Sequence, residues 1–119
     1  MGGDTAEEPR DEVLEALDEL VAALRDSTKA NEQALKRADQ IRRARNRGAT
    51  YGEIVSGDDE PLIVHVTRAN LNRLLEAASR FQRAQARALH AEGFTMERIG
   101  EIFGVTRQRV SALLRSRRR

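Results

Sequence analysis

The chain has no cysteine and no tryptophan, only two prolines, and aromatic residues at 3% of its 119 positions. Without cysteine, disulfides and thiolate chemistry are excluded. With aromatics limited to Tyr51, Phe81, Phe94 and Phe103, a large aromatic core is out of reach, and the packing falls to Leu, Ile, Val and Ala on helices. No uninterrupted apolar run approaches the roughly eighteen residues of a membrane span. The first residues are acidic and lack the basic start and apolar centre of a secretory leader, so a cytoplasmic location is expected. Lysine is scarce too: it occurs only at Lys29 and Lys36, and arginine supplies nearly all the positive charge. That usage fits a GC-rich bacterial genome.

What the chain has in abundance is charge, 34% of residues, with a net of only +2. The two signs are segregated. Residues 1–26 carry nine acidic and two basic side chains, a balance of −7, whereas residues 66–119 carry twelve arginines and four glutamates, a balance of +8. A basic half of this kind attracts a polyanion. The length allows one small domain or two very small ones.

From Pro9 onward Val13, Leu14, Leu17, Leu20, Val21 and Leu24 recur at spacings of three and four, the period of an amphipathic helix. Ala34, Leu35, Ala38, Ile41 and Ala44 carry the period to Gly48. Either one helix runs through, or Asp26-Ser27-Thr28 breaks it and caps a second. A heptad passes through Val13, Leu17, Leu20, Leu24, Ser27, Asn31, Ala34, Ala38 and Ile41, with Asn31 at a position where a buried amide fixes the register of a parallel dimer. Two readings stand: a homodimer through the helix from Val13 to Leu24, or a helix packed on its own domain. The acidic face of Glu8, Asp11, Glu12, Glu15, Asp18 and Glu19 is either a solvated surface or folds back on the arginines and competes with DNA.

The densest pattern lies at 95–115, TMERIGEIFGVTRQRVSALLR. Its apolar residues fall at Ile99, Phe103, Val105, Val110 and Leu113. Gly100 stands where two helices cross closely. Gly104 stands at the turn, where glycine takes a positive φ without a Cβ clash, and Thr106 is placed to cap the second helix. This is a helix-turn-helix pattern. Arg107, Gln108, Arg109, Ser111 and Ala112 are then the outward positions for base edges, arginine and glutamine being suited to guanine and adenine. Thr95, Thr106, Arg115 and the tail residues Arg117, Arg118 and Arg119 are assigned to phosphates.

The Ile99-Gly100 pair and the run Gly104-Val105-Thr106-Arg107-Gln108-Arg109-Val110 resemble the region 4 helix-turn-helix of bacterial sigma factors and the small regulators that share it. The stretch from Ala88 to Arg115 also resembles small helix-turn-helix DNA-binding proteins of high-GC Gram-positive bacteria. The resemblance covers about a quarter of the chain. It implies that Arg107, Gln108, Arg109 and Ser111 touch DNA, and that such a head also contacts RNA polymerase. The other regions of a sigma factor are missing, so independent promoter recognition is not implied.

A weaker copy of the pattern lies upstream. Gly48-Ala49-Thr50-Tyr51-Gly52-Glu53-Ile54 aligns with Gly93-Phe94-Thr95-Met96-Glu97-Arg98-Ile99. Val66-Thr67-Arg68-Ala69-Asn70-Leu71-Asn72-Arg73-Leu74-Leu75 aligns with Val105-Thr106-Arg107-Gln108-Arg109-Val110-Ser111-Ala112-Leu113-Leu114, after an insertion in the acidic turn Asp58-Asp59-Glu60. Either the chain carries two tandem units, the first degenerate, or two helical hairpins are alike by chance. In the tandem reading Arg68, Asn70, Asn72 and Arg73 are secondary DNA contacts, and Leu71, Leu74 and Leu75 form the first unit's core. The acidic turn disfavours approach to phosphates, so that unit is expected to be mainly structural. Leu62 to Val66 is expected to open a helix. Arg80, Arg83 and Arg87, three and four apart on a connecting helix ended by Gly93, form a further basic stripe.

His65 and His90 lack partners at metal-ligand spacing, and no phosphate loop or nucleophile elbow occurs. No enzymatic activity, metal or cofactor is expected. The sequence therefore predicts an all-α protein. Residues 1–8 form a disordered N-terminus, 9–47 a long or broken amphipathic helix, and 48–78 a degenerate helix-turn-helix-like unit. Residues 79–115 form a tri-helical DNA-binding head, and 116–119 a basic tail. The expected function is double-stranded DNA binding in transcription regulation, on the nucleoid. An architectural nucleoid-associated protein and an RNA-polymerase-interacting module remain alternatives.

Overall fold

The computed structural model describes residues 11–56 and 63–116. Among the described residues the protein is all-helical, with no strand. Five helices follow one another: α1 (Glu12–Asn46), α2 (Tyr51–Ser56), α3 (Ile63–Ala91), α4 (Met96–Phe103) and α5 (Arg107–Arg115). No helix among the described residues is long and apolar enough to cross a membrane. The expectations for residues 1–8, the acidic turn 58–60 and Arg117 to Arg119 lie outside the described residues.

Local chemistry accounts for the helix ends. Asp11 caps α1, its Oδ1 accepting the backbone N–H groups of Val13 and Leu14 at 3.0 and 3.2 Å. Glu12 and Glu15 in the first turn and Arg43 and Arg45 in the last complement the helix dipole. No break occurs at Asp26-Ser27-Thr28: the Thr28 hydroxyl donates back to the Leu24 carbonyl at 3.1 Å, within an unbroken helix. The helix stops at Gly48, where φ is +101°. Gly48 N–H donates to the Arg45 carbonyl and Ala49 N–H to the Ala44 carbonyl, a Schellman ending.

The chain folds into two compact units, Met1–Val21 with Glu76–Arg119, and Ala22–Leu75. In the first, the start of α1 runs antiparallel to the second half of α3. Glu12 pairs with Arg87 at 2.6 Å and Glu19 with Arg80 at 2.7 Å. Ala16, Ala77 and Ala84 are buried there; a methyl group fills little space, so it permits close helix approach. The main apolar cluster of this unit is Ala86, Ile99, Val110 and Leu113, with Leu89, Phe94, Met96, Phe103, Val105 and Leu114 packed around it. Burying each large side chain of that cluster is worth about 1.5–3 kcal/mol.

The second unit is built differently. The rest of α1 again runs antiparallel to α3, here to its first part, and buries Ala23, Ser27 and Asn70. Asn70 Nδ2 donates to Ser27 Oγ at 3.1 Å and to Asn31 Oδ1 at 3.3 Å, so the buried amide is satisfied. Arg73 and Asp26 form an exposed pair at 3.6 Å. Leu71 and Leu75, expected as the core of the first repeat, are 53% and 57% exposed, and only Leu74 is half-buried. The expectation fails because α3 is one helix that turns its small and polar positions inward, leaving the leucines on another face.

The α1 heptad is also split by packing. Leu20, Ser27, Ala34 and Ile41 lie at least half-buried, while Leu17 and Leu24 are 36% and 50% exposed. Asn31 binds Asn70 of its own chain.

Candidate nucleic-acid interface

The α4–α5 pair forms as its residues require. Gly93, at φ +101°, ends α3 by the same two bonds as Gly48: Gly93 N–H to the His90 carbonyl and Phe94 N–H to the Leu89 carbonyl. Thr95 then caps α4, its hydroxyl accepting Arg98 N–H at 3.1 Å. Gly104 follows α4 at φ +70°, and Val105 N–H closes the turn on the Gly100 carbonyl at 2.9 Å. Thr106 caps α5 by accepting Arg109 N–H at 3.1 Å. Gly100 is fully required here. A Cβ at that position would stand 2.8 Å from the Val105 carbonyl oxygen and 3.6 Å from Val110 Cγ2. The two helices can cross so closely only over a bare Cα.

Val110 and Leu113 anchor the inner face of α5, at 0% and 2% exposure. The opposite side carries Arg107, Gln108, Arg109 and Arg115, all exposed, with Ser111 and Ala112 half-buried between them. The five expected base-reading residues thus share one short helix whose N-terminal turn is open. Arg107 Nε lies 3.4 Å from Glu97 Oε2, with both side chains over 60% exposed. Such a surface pair is weak and readily exchanged for another anion. Arg115 Nη1 donates to Ser111 Oγ at 2.6 Å, one turn earlier on the helix.

The other expected contacts divide. Arg68 and Asn72 are exposed on α3, and Arg73 is paired with Asp26. Asn70 is a correction: at 8% exposure, with both amide hydrogens directed to Ser27 and Asn31, it holds two helices together and cannot reach DNA. Thr67, aligned with the capping Thr106, lies inside α3 and starts no helix. The two segments therefore share an opening turn and a short helix after it, and the residues aligned with α5 lie within α3.

Arg80 and Arg87 are held by Glu19 and Glu12, so the acidic face folds back on the arginine stripe within the first unit. Arg83 lines the same shallow cleft. Arg87 has a second role that spacing alone did not reveal. Its other guanidinium nitrogen donates to the Ser116 carbonyl, just past the end of α5. One side chain, 21% exposed, thereby ties the acidic start of α1 to the end of α5. The local signal was modest: Glu12 and Glu19 are seven apart, as are Arg80 and Arg87.

Among the described residues no group of three or more His, Cys, Asp or Glu is placed to hold a metal ion. No family model, curated protein or solved structure matches the chain.

Proposed function

We propose that the protein binds double-stranded DNA through α4 and α5 and acts as a transcriptional regulator on the bacterial nucleoid. The observation that carries this reading is the open, basic N-terminal turn of α5 above a fully buried Val110. A short helix fixed from behind, with Arg107, Gln108 and Arg109 facing outward, suits insertion into the major groove, where N-terminal residues of such a helix meet base edges. Thr95 and Thr106 lie at helix starts, where backbone N–H groups favour a phosphate, and Arg115 extends the basic surface. The surplus of arginine over the 66–119 segment supplies the sequence-independent attraction. The similarity to sigma factor region 4 supports the same reading and adds RNA polymerase as a second partner.

The experiment is a selection of random duplex DNA by the purified protein, with an Arg107→Ala/Arg109→Ala variant in parallel. A recovered motif that vanishes in the variant supports a sequence-reading regulator. Enrichment without a motif, with a steep salt dependence, favours an architectural DNA-binding protein. No enrichment by either turns the proposal toward a polymerase-contacting module, read out by capture of purified polymerase.

A further inference from the structure

The second unit leaves much of its apolar surface outside its helix pair. Its helix pair buries Ala23, Ser27 and Asn70, while Leu24, Leu35, Val64, Leu71 and Leu75 are 49–70% exposed. On α1, Leu24, Thr28, Asn31 and Leu35 follow one another at spacings of four, three and four; on α3, Val64, Arg68, Leu71 and Leu75 do the same. Both sequences trace a helix-packing stripe. In helical phase the two stripes flank the side of the pair opposite the Asp26–Arg73 ion pair, so they make one apolar face.

We infer that this face is covered by a second copy of the chain. On α1, self-pairing brings unlike charges together. When two α1 helices meet antiparallel across a twofold axis, Leu24 of one copy packs against Leu35 of the other, and the reverse contact is made at the other end. The positions just outside that stripe are then Arg25 of one copy and Glu32 of the other, again twice by symmetry. Both are exposed. The central layer sets Thr28 of each copy against Asn31 of the other. Asn31 Oδ1 is already engaged by Asn70, which leaves its amide N–H groups to donate to the Thr28 hydroxyl of the other copy. A polar layer at the centre of an apolar stripe selects that register over slipped ones, and antiparallel self-pairing closes on itself as a twofold interface. The surface differs from the sequence expectation of a parallel dimer through the 13–24 segment: it lies further along α1 and includes α3.

The mass in solution tests this without DNA, so its failure and the failure of the DNA reading are separable. Sedimentation equilibrium of the full chain should give twice the chain mass at micromolar concentration. Leu24→Glu/Leu71→Glu should give a monomer with helical circular dichroism retained. Arg25→Glu should weaken the dimer at least several-fold, and Arg25→Glu/Glu32→Arg should restore it. A monomeric wild type, or a dimer indifferent to Leu24, Leu71 and the charge exchange, overturns the inference.

Discussion

The chain opens two segments in the same way and completes only one of them. At 44–56 and at 89–103 a helix ends on a glycine at φ +101°, closed by the same pair of backbone bonds, and a threonine caps the next helix. After that the segments part. The second turns on Gly104, caps again at Thr106 and lays α5 across α4 over a buried Ile99. The first leads to α3, which begins at Ile63 and runs 29 residues. The crossed pair α4–α5 thus depends on its second cap and on the bare Cα of Gly100 that lets the helices cross. Without these, equally helical residues join a long helix and pack elsewhere.

The largest test of this contrast is the pair of aligned isoleucines. Ile99 is fully buried and Ile54 half-buried. Ile99→Ala should cost about 2–5 kcal/mol in denaturant unfolding, and Ile54→Ala distinctly less. Equal costs would mean that the first segment has a comparable core.

The glycines come next. Gly100→Ala forces a Cβ against the Val105 carbonyl, and overpacking of this kind costs about 1–3 kcal/mol. A Cβ on Gly52, inside α2, would meet only the Thr50 hydroxyl, at 3.9 Å. Gly52→Ala should therefore be neutral or stabilising by up to about 1 kcal/mol. Thermal melts of both variants check the opposite signs.

Smaller effects follow at the threonines. Thr106→Ala removes the α5 cap and should cost about 1 kcal/mol, whereas Thr67→Ala, inside a helix and exposed, should change stability by less than about 0.5 kcal/mol.

These contrasts also mark what was legible in the sequence. Ile99, Gly100, Gly104 and Thr106 act within twenty residues of one another, through period, sterics and capping, so their spacing alone was informative. The burial of Asn70 was not, because its partners Ser27 and Asn31 lie some forty residues away and nothing local selects them. The same holds for Arg80 and Arg87. A basic stripe reads the same whether it faces solvent or glutamates, until the fold brings an acidic helix beside it. Leu71 and Leu75 misled for a related reason: period gives a stripe, but not which stripe turns inward.

The smallest expected effect is a pH dependence confined to the first segment. Glu53 Oε1 accepts Thr50 N–H at 2.8 Å while Thr50 Oγ1 accepts Glu53 N–H at 3.1 Å. The Thr50 backbone N–H foremost, and then the Thr50 hydroxyl, hold the Glu53 carboxyl below its ordinary value. A depressed carboxyl contributes stability above its unfolded pKa, and the contribution is lost as pH falls through the folded one. Acid titration should therefore unravel α2 slightly earlier than in Glu53→Gln, whose side-chain oxygen bonds at any pH. The aligned residue in the second segment is Arg98, which has no carboxyl to accept the Thr95 N–H, so the α4 cap should show no counterpart.

The central claim is that the completed segment reads DNA and the incomplete one does not. Its most direct measurement is the equilibrium affinity of two double variants for the duplex recovered by selection, at one fixed salt concentration. Arg107→Ala/Arg109→Ala should weaken binding by roughly thirty-fold or more, from about 1–3 kcal/mol for each of two base contacts, while Arg68→Ala/Asn72→Ala should change it by less than about threefold, within the range of marginal contacts. Equal losses, or a larger loss from the α3 pair, would contradict the account.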